Sequence, residues 1–387
     1  MLRRLLDTMT REWRLLTGRP LYLVSFILVP LVMTLVLTYE MNIGLPANIP
    51  VAVVDLDNSS LSRRLTRELV NQQMLEVIAT YHDQRQADEA IQRGEIFGYF
   101  YIPDHFSEDV LAMRRPELAY FSNYMYMVPA SLSYRSFKTQ AMLTSASVML
   151  TAARNAGIDP KLLGGKLQPY STHMHMLGNP QTHYGIYLNN SFCVATLALM
   201  VLLMTIYTIT HEMKMNTAGE WLDTAGDSML IALLGKLLPQ CVIFTIVGWA
   251  IQSIMYGYCG YPLNCPLWRM LLAMFLLVAA TQSLAVLFVG IVPNMRIALS
   301  VGSLVGVLTF SVAGFSMPVE SMYRVIGMFS YLLPMRYYFL IYIDQALNGL
   351  SLFYSRLFYV ALIGFMFLPF FVLHRLRHAC RSFTYIP

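Results

Sequence analysis

The chain has 387 residues, of which 56% are hydrophobic and only 13% are charged, and its formal net charge is +5. Because soluble domains carry about 25% charged residues, this composition excludes an ordinary soluble protein and indicates an integral membrane protein. The basic residues lie beside the apolar segments, so the positive charge is better explained by membrane topology than by nucleic-acid binding.

The first predicted element is an amphipathic interfacial helix over residues 1–20. It contains Arg11, Trp13 and Arg14, which are residue types suited to the plane of the lipid headgroups. A simple topology anchor explains the same residues equally well. Both interpretations place this helix on the cytoplasmic side.

Residues 21–39 form one uncharged apolar segment, and about 20 such residues cross a hydrocarbon core as a helix. A cleaved signal peptide is the rival interpretation. The segment is longer than a typical signal-peptide core, and no small-x-small cleavage site follows it closely, so the sequence favours a retained first span. Pro30 lies inside the segment, which membrane helices tolerate.

Residues 40–188 have a water-compatible composition and are predicted to form an extracytoplasmic α/β domain with a long helix at 129–156. Strand and helix signals alternate in the order β-α-β-α-β. Strands are predicted at 49–54, 75–80 and 96–102, and helices at 61–69 and 88–93. Asp57-Asn-Ser-Ser60 supplies capping residues for the first helix, and Asp104 is expected to cap a third.

The loop at residues 160–187 contains His173-Met174-His175-Met176 and then His183, a combination that suits copper. No cysteine or carboxylate with matching spacing accompanies these residues, and a chain with 26 methionines places Met beside His by chance. The sequence therefore predicts no metal site and no cofactor.

Residues 189–373 are almost entirely apolar and are predicted to form a transmembrane bundle of spans 2–6. These spans are expected at 190–210, 237–256, 270–292, 297–313 and 353–373. Residues 314–352 are interrupted by proline and charged residues, which predicts short re-entrant or interfacial helices covered by protein. The predicted fold class is a polytopic α-helical membrane protein with six transmembrane helices and an extracytoplasmic α/β domain between spans 1 and 2.

Arginines beside the spans indicate the orientation. Five lie in residues 1–20 and three lie in the basic tail at 374–387, so both termini are expected in the cytoplasm, which six spans allow. Residues 40–188 then lie outside a bacterial cytoplasmic (inner) membrane. Cys259 and Cys265 share a predicted outside loop, where a disulfide and two free thiols are both consistent with the sequence.

Catalytic motifs are absent from the sequence. Gly164-Gly165-Lys166 is followed by Leu167 instead of the Ser or Thr that a phosphate-binding P-loop needs. No H-E-x-x-H or G-x-S-x-G motif occurs, and ionisable residues are nearly absent from the span centres, which argues against an ion-coupled carrier. The chain is not predicted to be an enzyme, so energy for transport has to come from a partner.

The predicted loop between spans 2 and 3, residues 211–236, is a candidate partner surface. It contains Glu212 and Glu220, with Trp221 and Leu222 directly after. An exposed apolar pair among acidic residues is better explained by docking to a partner than by solvation. The sequence therefore predicts that Trp221 is exposed.

Seven short segments carry a resemblance to a known family. They are Val53–Arg63, Ile91–Glu95, Tyr101–Ser107, Gly235–Pro239, Ala313–Met322, Leu333–Tyr338 and Asn348–Gly349. In this order, along almost the whole chain, they resemble the membrane subunits of type-2 ABC exporters. The resemblance is to the branch with a large outside domain between the first two spans.

The resemblance implies a permease that dimerises with itself or a sibling and binds separate ATPase subunits. It implies docking through the N-terminal helix and the loop after the second span, with Arg11, Trp13, Arg14, Glu212, Glu220 and Trp221 as docking residues. It also implies export of drug-like or lipid-like compounds, as in multidrug efflux, often with a periplasmic adaptor and an outer-membrane channel. Only fragments of the family's E-x-E-x-G-T stretch occur at Glu212–Leu222, which raises the hypothesis of a sibling carrying the fuller motif.

By resemblance, the cargo path lies at the dimer seam and is lined by the second and fifth spans. Met and Phe make adaptable apolar surfaces. The candidate path residues are Phe192, Met200, Met204 and Phe310, with Phe315 and Met317 as an outer gate. Such residues more often pack helices or contact lipid. The alternative functions are a membrane-anchored sensor or secretion-assembly scaffold that uses the outside domain, and a membrane-embedded enzyme.

Overall fold

The computed structural model of the chain describes residues 2–41, 48–72, 74–112, 114, 116–155, 179, 183–315 and 317–382. The chain divides into two compact units, one comprising Leu45–His175 and the other Met1–Gly44 with Met176–Pro387. The sequence motifs His173-Met174-His175-Met176 and Gly164-Gly165-Lys166 lie outside the described residues.

Two helices precede the α/β unit, α1 (Leu2–Gly18) and α2 (Pro20–Met41). α1 is amphipathic because Thr8, Glu12 and Leu16 recur every fourth residue and are the buried positions of the helix. α2 begins with Pro20 in its first turn, where the missing N–H has no helical partner to lose. Its residues 21–39 are uncharged and predominantly apolar, as a membrane span requires.

The α/β unit contains a four-stranded sheet with helices between the strands. Its elements are β1 (Ile49–Asp55), α3 (Ser60–Val70), β2 (Leu75–Tyr81), α4 (Gln84–Gln92), β3 (Gly98–Ile102), α5 (Phe106–Leu111), β4 (Ala119–Ser122) and α6 (Met127–Asn155). The strand order is β2-β1-β3-β4. The first three strands are parallel and correspond to the three predicted ones. β4 pairs antiparallel with β3 and was not predicted.

Alternate residues of β1 enter two different cores, one on each face of the sheet. Val51 and Val53 pack in a core with residues of α3 and with Phe100 of β3. Ala52 and Val54 pack in the opposite core with Ala87 of α4 and its neighbours. A strand that is covered on both faces has no solvent-exposed side for polar residues. This explains why β1 is a continuous apolar run.

Carboxylates of the turn after β1 organise the starts of two helices. Asp55 accepts from the hydroxyl of Ser62 at 2.7 Å, and Ser59 caps α3 by accepting from the Ser62 N–H. The prediction that Asp104 caps the third helix is wrong. His105 adopts a left-handed conformation and moves the helix start by one residue, and Asp57 accepts from the Ser107 N–H at 3.2 Å instead.

The membrane unit continues after residue 183. Its helices are α7 (Gly185–Lys214), α8 (Ala218–Thr224), α9 (Met229–Tyr258), α10 (Leu267–Ile291), α11 (Met295–Val312), α12 (Arg324–Ser330), α13 (Pro334–Leu347), α14 (Leu352–Phe371) and α15 (Leu373–Ser382). Among the described residues, six helices are long and apolar enough to cross a membrane, namely α2, α7, α9, α10, α11 and α14. These correspond to the six predicted spans.

The segment between the fifth and sixth spans is bent rather than straight. α12 and α13 meet at 80° across a short break, so the pair forms a broken span or a re-entrant loop. Much of α13 is buried, including Arg336, Tyr338 and Tyr342. Irregular backbone at membrane depth is tolerated where protein covers it, which agrees with the short helices expected between residues 314 and 352.

Two boundaries in the membrane unit differ from the expected ones. α9 begins at Met229 rather than at residue 237, so Lys236 lies inside a membrane-length helix. The tail after residue 373 begins with the helix α15. Hydropathy alone placed the start of α9 too late, because the lysine interrupts an otherwise apolar sequence. The lysine is nevertheless compatible with burial, because it has acidic partners.

The core of the α/β unit provides a stability prediction. Phe100 is fully buried and stacks on Tyr120 and Phe137, with ring centroids 5.1 and 4.7 Å apart. We expect Phe100→Ala to destabilise this unit by about 3–5 kcal/mol, because it removes a large side chain from a closed core. Limited proteolysis of the full chain measures the effect as faster cleavage within residues 48–155. Phe121→Ala, at a position 40% exposed, is the control and should accelerate cleavage much less.

Candidate functional site

α1 lies along the beginning of α9 and approaches it closely. Gly235 faces Thr8, and a side chain at this glycine would collide with the Thr8 side chain. The close approach brings the next residue, Lys236, against the buried face of α1. The packing of α1 against α9 therefore depends on a small residue at the contact and a charged residue beside it.

A buried lysine holds two glutamates from different helices. The Lys236 ammonium lies 2.6 Å from a carboxylate oxygen of Glu12 in α1 and 3.0 Å from one of Glu212 in α7. The side chains of all three are at most 5% exposed. Removing such charges from water costs several kcal/mol per ion, so their mutual pairing is a condition of their burial.

Neighbouring groups complete this ionic cluster. Arg11 makes a bidentate pair with Glu212, with N–O distances of 2.7 and 2.9 Å. Gln240 of α9 donates to the second carboxylate oxygen of Glu12 at 2.8 Å, and Thr217 donates to Glu212. Burial tends to lower the pKa of the Arg11 guanidinium, but the hydrogen bond to Glu212 outweighs it and the pKa is raised.

We call Arg11, Glu12, Glu212 and Lys236 the ionic cluster. It contains two positive and two negative charges, so it is neutral as a whole while its members come from α1, α7 and α9. Bidentate arginine–carboxylate geometry fixes orientation as well as distance. The ionic cluster therefore attaches α1 to two of the span helices.

The prediction that Trp221 is exposed is wrong. Trp221 and Leu222 of α8 are fully buried among apolar residues of α7, α9 and α15. The Trp221 indole N–H donates to the Ala232 carbonyl at 3.3 Å, and the Lys236 ammonium lies 5.1 Å from the ring centroid. The tryptophan anchors α8 beside the ionic cluster, so the apolar pair is explained by packing and not by an open docking surface.

The remaining predicted docking residues are divided between the interior and the surface. Glu212 is buried and Arg11 is partly exposed, and they contact each other. Trp13 is 50% exposed, and Arg14 and Glu220 are exposed. The predicted loop 211–236 is shorter than expected, since only 215–217 and 225–228 lie between helices.

The C-terminal helix α15 is bound to the end of α8 and to the connection that follows it. Arg381 donates to Asp223 at 2.7 Å and to Asp227 at 2.9 Å, and Arg377 also pairs with Asp227. Hydrogen bonds from Arg381 and Arg377 lower the pKa of Asp227. The carboxylate is therefore retained to a lower pH than an ordinary aspartate, and this contact weakens only when the pH falls through the lowered pKa.

Three of the predicted path residues meet in one aromatic cluster. The ring of Phe192 stacks on Phe310 with centroids 5.7 Å apart and contacts Phe315 edge-on at 5.5 Å. Phe315 in turn contacts Phe339 at 5.6 Å. Met200 is half-buried and Met204 buried along the same helix as Phe192, whereas Met317 is 47% exposed.

An internal cavity between the spans is small. It has a volume of about 20 Å³ and is lined by residues of α7, α10, α11 and α13, including Leu199, Gly306 and Met335. This is room for about one water molecule, whereas sites for drug-sized ligands occupy roughly 300–1,000 Å³. This cavity between the second and fifth spans is therefore too small for a drug-sized ligand.

The cysteines and histidines of the described residues form no group that could hold a metal ion. The sequence is consistent with either a disulfide or two free thiols at Cys259 and Cys265. In this structure both are free thiols. His183 of the predicted His/Met loop accepts from the Gly185 N–H at 3.0 Å through its Nδ1. Its other predicted partners lie outside the described residues.

Sequence reasoning missed Glu12, Lys236 and Gln240 as members of this site. A signal existed for two of them, because Glu12 falls on the apolar stripe of α1 and Lys236 interrupts an apolar helix. Two opposite charges at positions that are expected to be buried are candidates for an ion pair with each other. Because the two residues are more than 200 positions apart in the sequence, local sequence patterns do not reveal this pair.

A known protein family matches most of this chain. A family model described as "ABC-2 family transporter protein" matches residues 20–373. A search of curated proteins finds no significant match. The family match spans far more than half of the chain and includes α7, α8 and α9.

The ionic cluster provides a second prediction. Lys236→Met leaves Glu12 and Glu212 buried without their shared cation, so we expect a loss of about 3–5 kcal/mol in stability. Thermal unfolding in detergent measures this loss. The double variant Glu12→Gln/Lys236→Met keeps the Arg11–Glu212 pair and the overall neutrality, and should lose clearly less. Equal losses in both variants would contradict the proposed charge balance.

Proposed function

The chain belongs to the ABC-2 transporter family, and we propose that it is the permease subunit through which an ABC exporter moves amphipathic or hydrophobic small molecules outward. The single observation that carries this proposal is the family match over residues 20–373, which includes all six candidate spans. The cargo class, drug-like or lipid-like, is the finer part of the proposal. It is supported by the apolar Phe and Met side chains along α7 and α11.

Energy enters through an ABC ATPase partner, as the family implies. The sequence has no P-loop, since Lys166 is followed by Leu167. We assign the ATPase contact to the outward face of α1 and to α8, where Trp13, Arg14 and Glu220 are exposed. Tryptophan and arginine are enriched at protein interfaces.

The ionic cluster supports a coupling role for α1. A partner that pushes on Trp13 or Arg14 moves a helix whose opposite face is paired to Glu212 and Lys236. Because α7 and α9 are both held by this face, they respond together. Trp221 contributes by anchoring α8 next to Lys236, which replaces the direct docking role expected from the sequence.

The proposed topology places both termini in the cytoplasm of a bacterium. The arginines of α1 and α15 support this, because positive residues beside spans stay inside. The α/β unit between α2 and α7 then lies in the periplasm, where an adaptor connected to an outer-membrane channel is a proposed partner. The membrane pathway is proposed to be dimeric, formed with a second copy or with a sibling permease.

The cargo path is proposed to run beside α7 and α11, which pack against each other in this structure. Gly306 of α11 faces Leu199 of α7 with no space for a larger side chain. The cluster of Phe192, Phe310 and Phe315 closes the contact at one end. We assign this cluster to the closed gate, with Met317 at its exposed margin. The family does not favour the sensor or scaffold alternative.

Docking is tested by co-purification with a candidate ABC ATPase. We expect Trp13→Ala/Arg14→Glu to reduce the ATPase retained by the tagged permease at least tenfold, because each interface anchor of these types contributes about 2 kcal/mol or more and tenfold corresponds to about 1.4 kcal/mol. Arg135→Glu, an exposed charge reversal in the α/β unit, is the matched control. Unchanged retention in the first variant would reject α1 as the docking surface.

The path is tested by transport with inside-out vesicles containing the permease and its ATPase. We expect Phe192→Ala to change which apolar dyes are exported, since it removes the central ring of the closed cluster and opens space toward Phe310. Leu234→Ala, on the exposed side of α9, should leave the dye profile unchanged. An identical profile for Phe192→Ala and the native protein would place the path elsewhere.

A further inference from the structure

A run of large apolar side chains lies exposed at the start of α6. Residues 124–128, Tyr-Met-Tyr-Met-Val, are between 40% and 89% exposed, and Met125 is the most exposed of them. The run belongs to the α/β unit, whose composition is otherwise compatible with water. Several consecutive apolar residues exposed on such a unit mark an interaction surface, whereas single ones need no explanation.

Hydrogen bonds fix the turn that presents these side chains. The Asn123 side chain accepts from the Met125 N–H at 3.1 Å, and the Asn123 N–H donates to the Phe97 carbonyl at 2.9 Å. The Tyr126 ring packs edge-on against the Phe97 ring, with centroids 5.2 Å apart. Because the turn is attached to the sheet in this way, little conformational entropy is lost when a partner binds to it.

The exposed apolar surface continues along α6. Met127, Tyr134 and Met142 are exposed, and their spacings of seven and eight residues are close to two helical turns, so they lie on one side of the helix. Phe137 lies on another side and is buried in the core beneath the sheet. From residue 127 to residue 142 the helix rises by about 22 Å. We call the following residues the Met/Tyr stripe: Tyr124, Met125, Tyr126, Met127, Tyr134 and Met142.

The charged residues of α6 are all basic. Residues 118–155 contain no Asp or Glu. Lys138 is exposed and lies four residues after Tyr134 and four before Met142. Residues four apart are neighbours on a helix surface, so the Lys138 side chain lies within the Met/Tyr stripe. A partner that covers the stripe is therefore expected to present acidic groups beside its apolar ones.

The residue types favour a protein partner over a lipid surface. Helices that lie on membranes carry Trp, Phe and Leu on their apolar side. The Met/Tyr stripe consists instead of Tyr and Met, which are enriched in protein interfaces, and Met side chains adapt to the shape of a partner. A second copy of the chain is disfavoured, because two stripes packed together would place basic side chains opposite basic side chains.

We propose that the Met/Tyr stripe binds an α-helix of a separate protein, and that this helix has an apolar side flanked by acidic residues. The length of the stripe matches about four helical turns, over which side chains of two helices can interdigitate. The stripe includes none of the residues assigned to ATPase docking. The identification of the partner with the proposed periplasmic adaptor rests on the proposed function, whereas the binding itself does not.

Binding is tested with the full chain in phosphatidylcholine nanodiscs and a fluorescent helical peptide as the probe. The peptide has a leucine stripe flanked by glutamates, and a second peptide has the same leucine stripe flanked by lysines. We expect saturable binding of the glutamate peptide, measured by fluorescence anisotropy, and at least tenfold weaker binding of the lysine peptide. Empty nanodiscs correct for binding to lipid. Equal affinities for the two peptides, or no binding of the glutamate peptide, would overturn the proposal.

Substitutions at exposed positions test the stripe itself. Met125→Ser and Tyr134→Ser should each weaken binding of the glutamate peptide about tenfold, as expected for interface anchors. Lys138→Glu should weaken binding of the glutamate peptide and strengthen binding of the lysine peptide, a reversal that loss of structure would not produce. Ile78→Thr, at a position of β2 that is 48% exposed, is the matched control and should bind normally. Unchanged affinity in both serine variants would reject the stripe.

Photo-cross-linking in cells that express the chain natively distinguishes the possible occupants. Benzoylphenylalanine placed at Met125 should form a product with a second protein, identified by mass spectrometry, and this protein, once purified, should compete with the glutamate peptide. Benzoylphenylalanine at Ile78 is the control and should give no such product. A product of two copies of the chain, products with lipid alone, or no product would overturn the proposal. A partner that competes but has no role in export would overturn only the adaptor assignment.

Discussion

The ammonium of Lys236 lies between the carboxylates of Glu12 and Glu212, and the attachment of α1 to the membrane unit depends on that contact. Without it, α1 would bury a carboxylate against an apolar helix, which is strongly unfavourable. With this contact, α1 is attached to two spans, although its hydropathy alone would predict a surface helix. Arg11 then balances the remaining charge of Glu212, so the whole contact is neutral.

The same contact shows why the sequence predicted the spans well and the surroundings of Trp221 less well. Span-length apolar segments follow from local composition, and all six coincide with helices of the structure. The environment of Trp221 depends on residues far away in sequence, because Lys236 covers its ring and α15 closes its other side. A tryptophan among acidic residues has the same local pattern whether it is exposed or anchored.

The α/β unit shows a similar limit for a different physical reason. β1, β2 and β3 are apolar or alternate clearly, so their positions follow from sequence. β4 has only four residues, all partly exposed or exposed, and is defined by its pairing with β3 rather than by its own pattern. The helix start after Asp104 also depends on a distant group, because Asp57 comes from the turn after β1.

The buried charges around Lys236 are satisfied by one another, and this arrangement fixes α1 to the bundle. Near Lys236, each buried charge has a protein partner, so separating α1 from α7 and α9 breaks several charge-assisted hydrogen bonds at once. At the ionic cluster, α1, α7 and α9 are therefore held together as one unit.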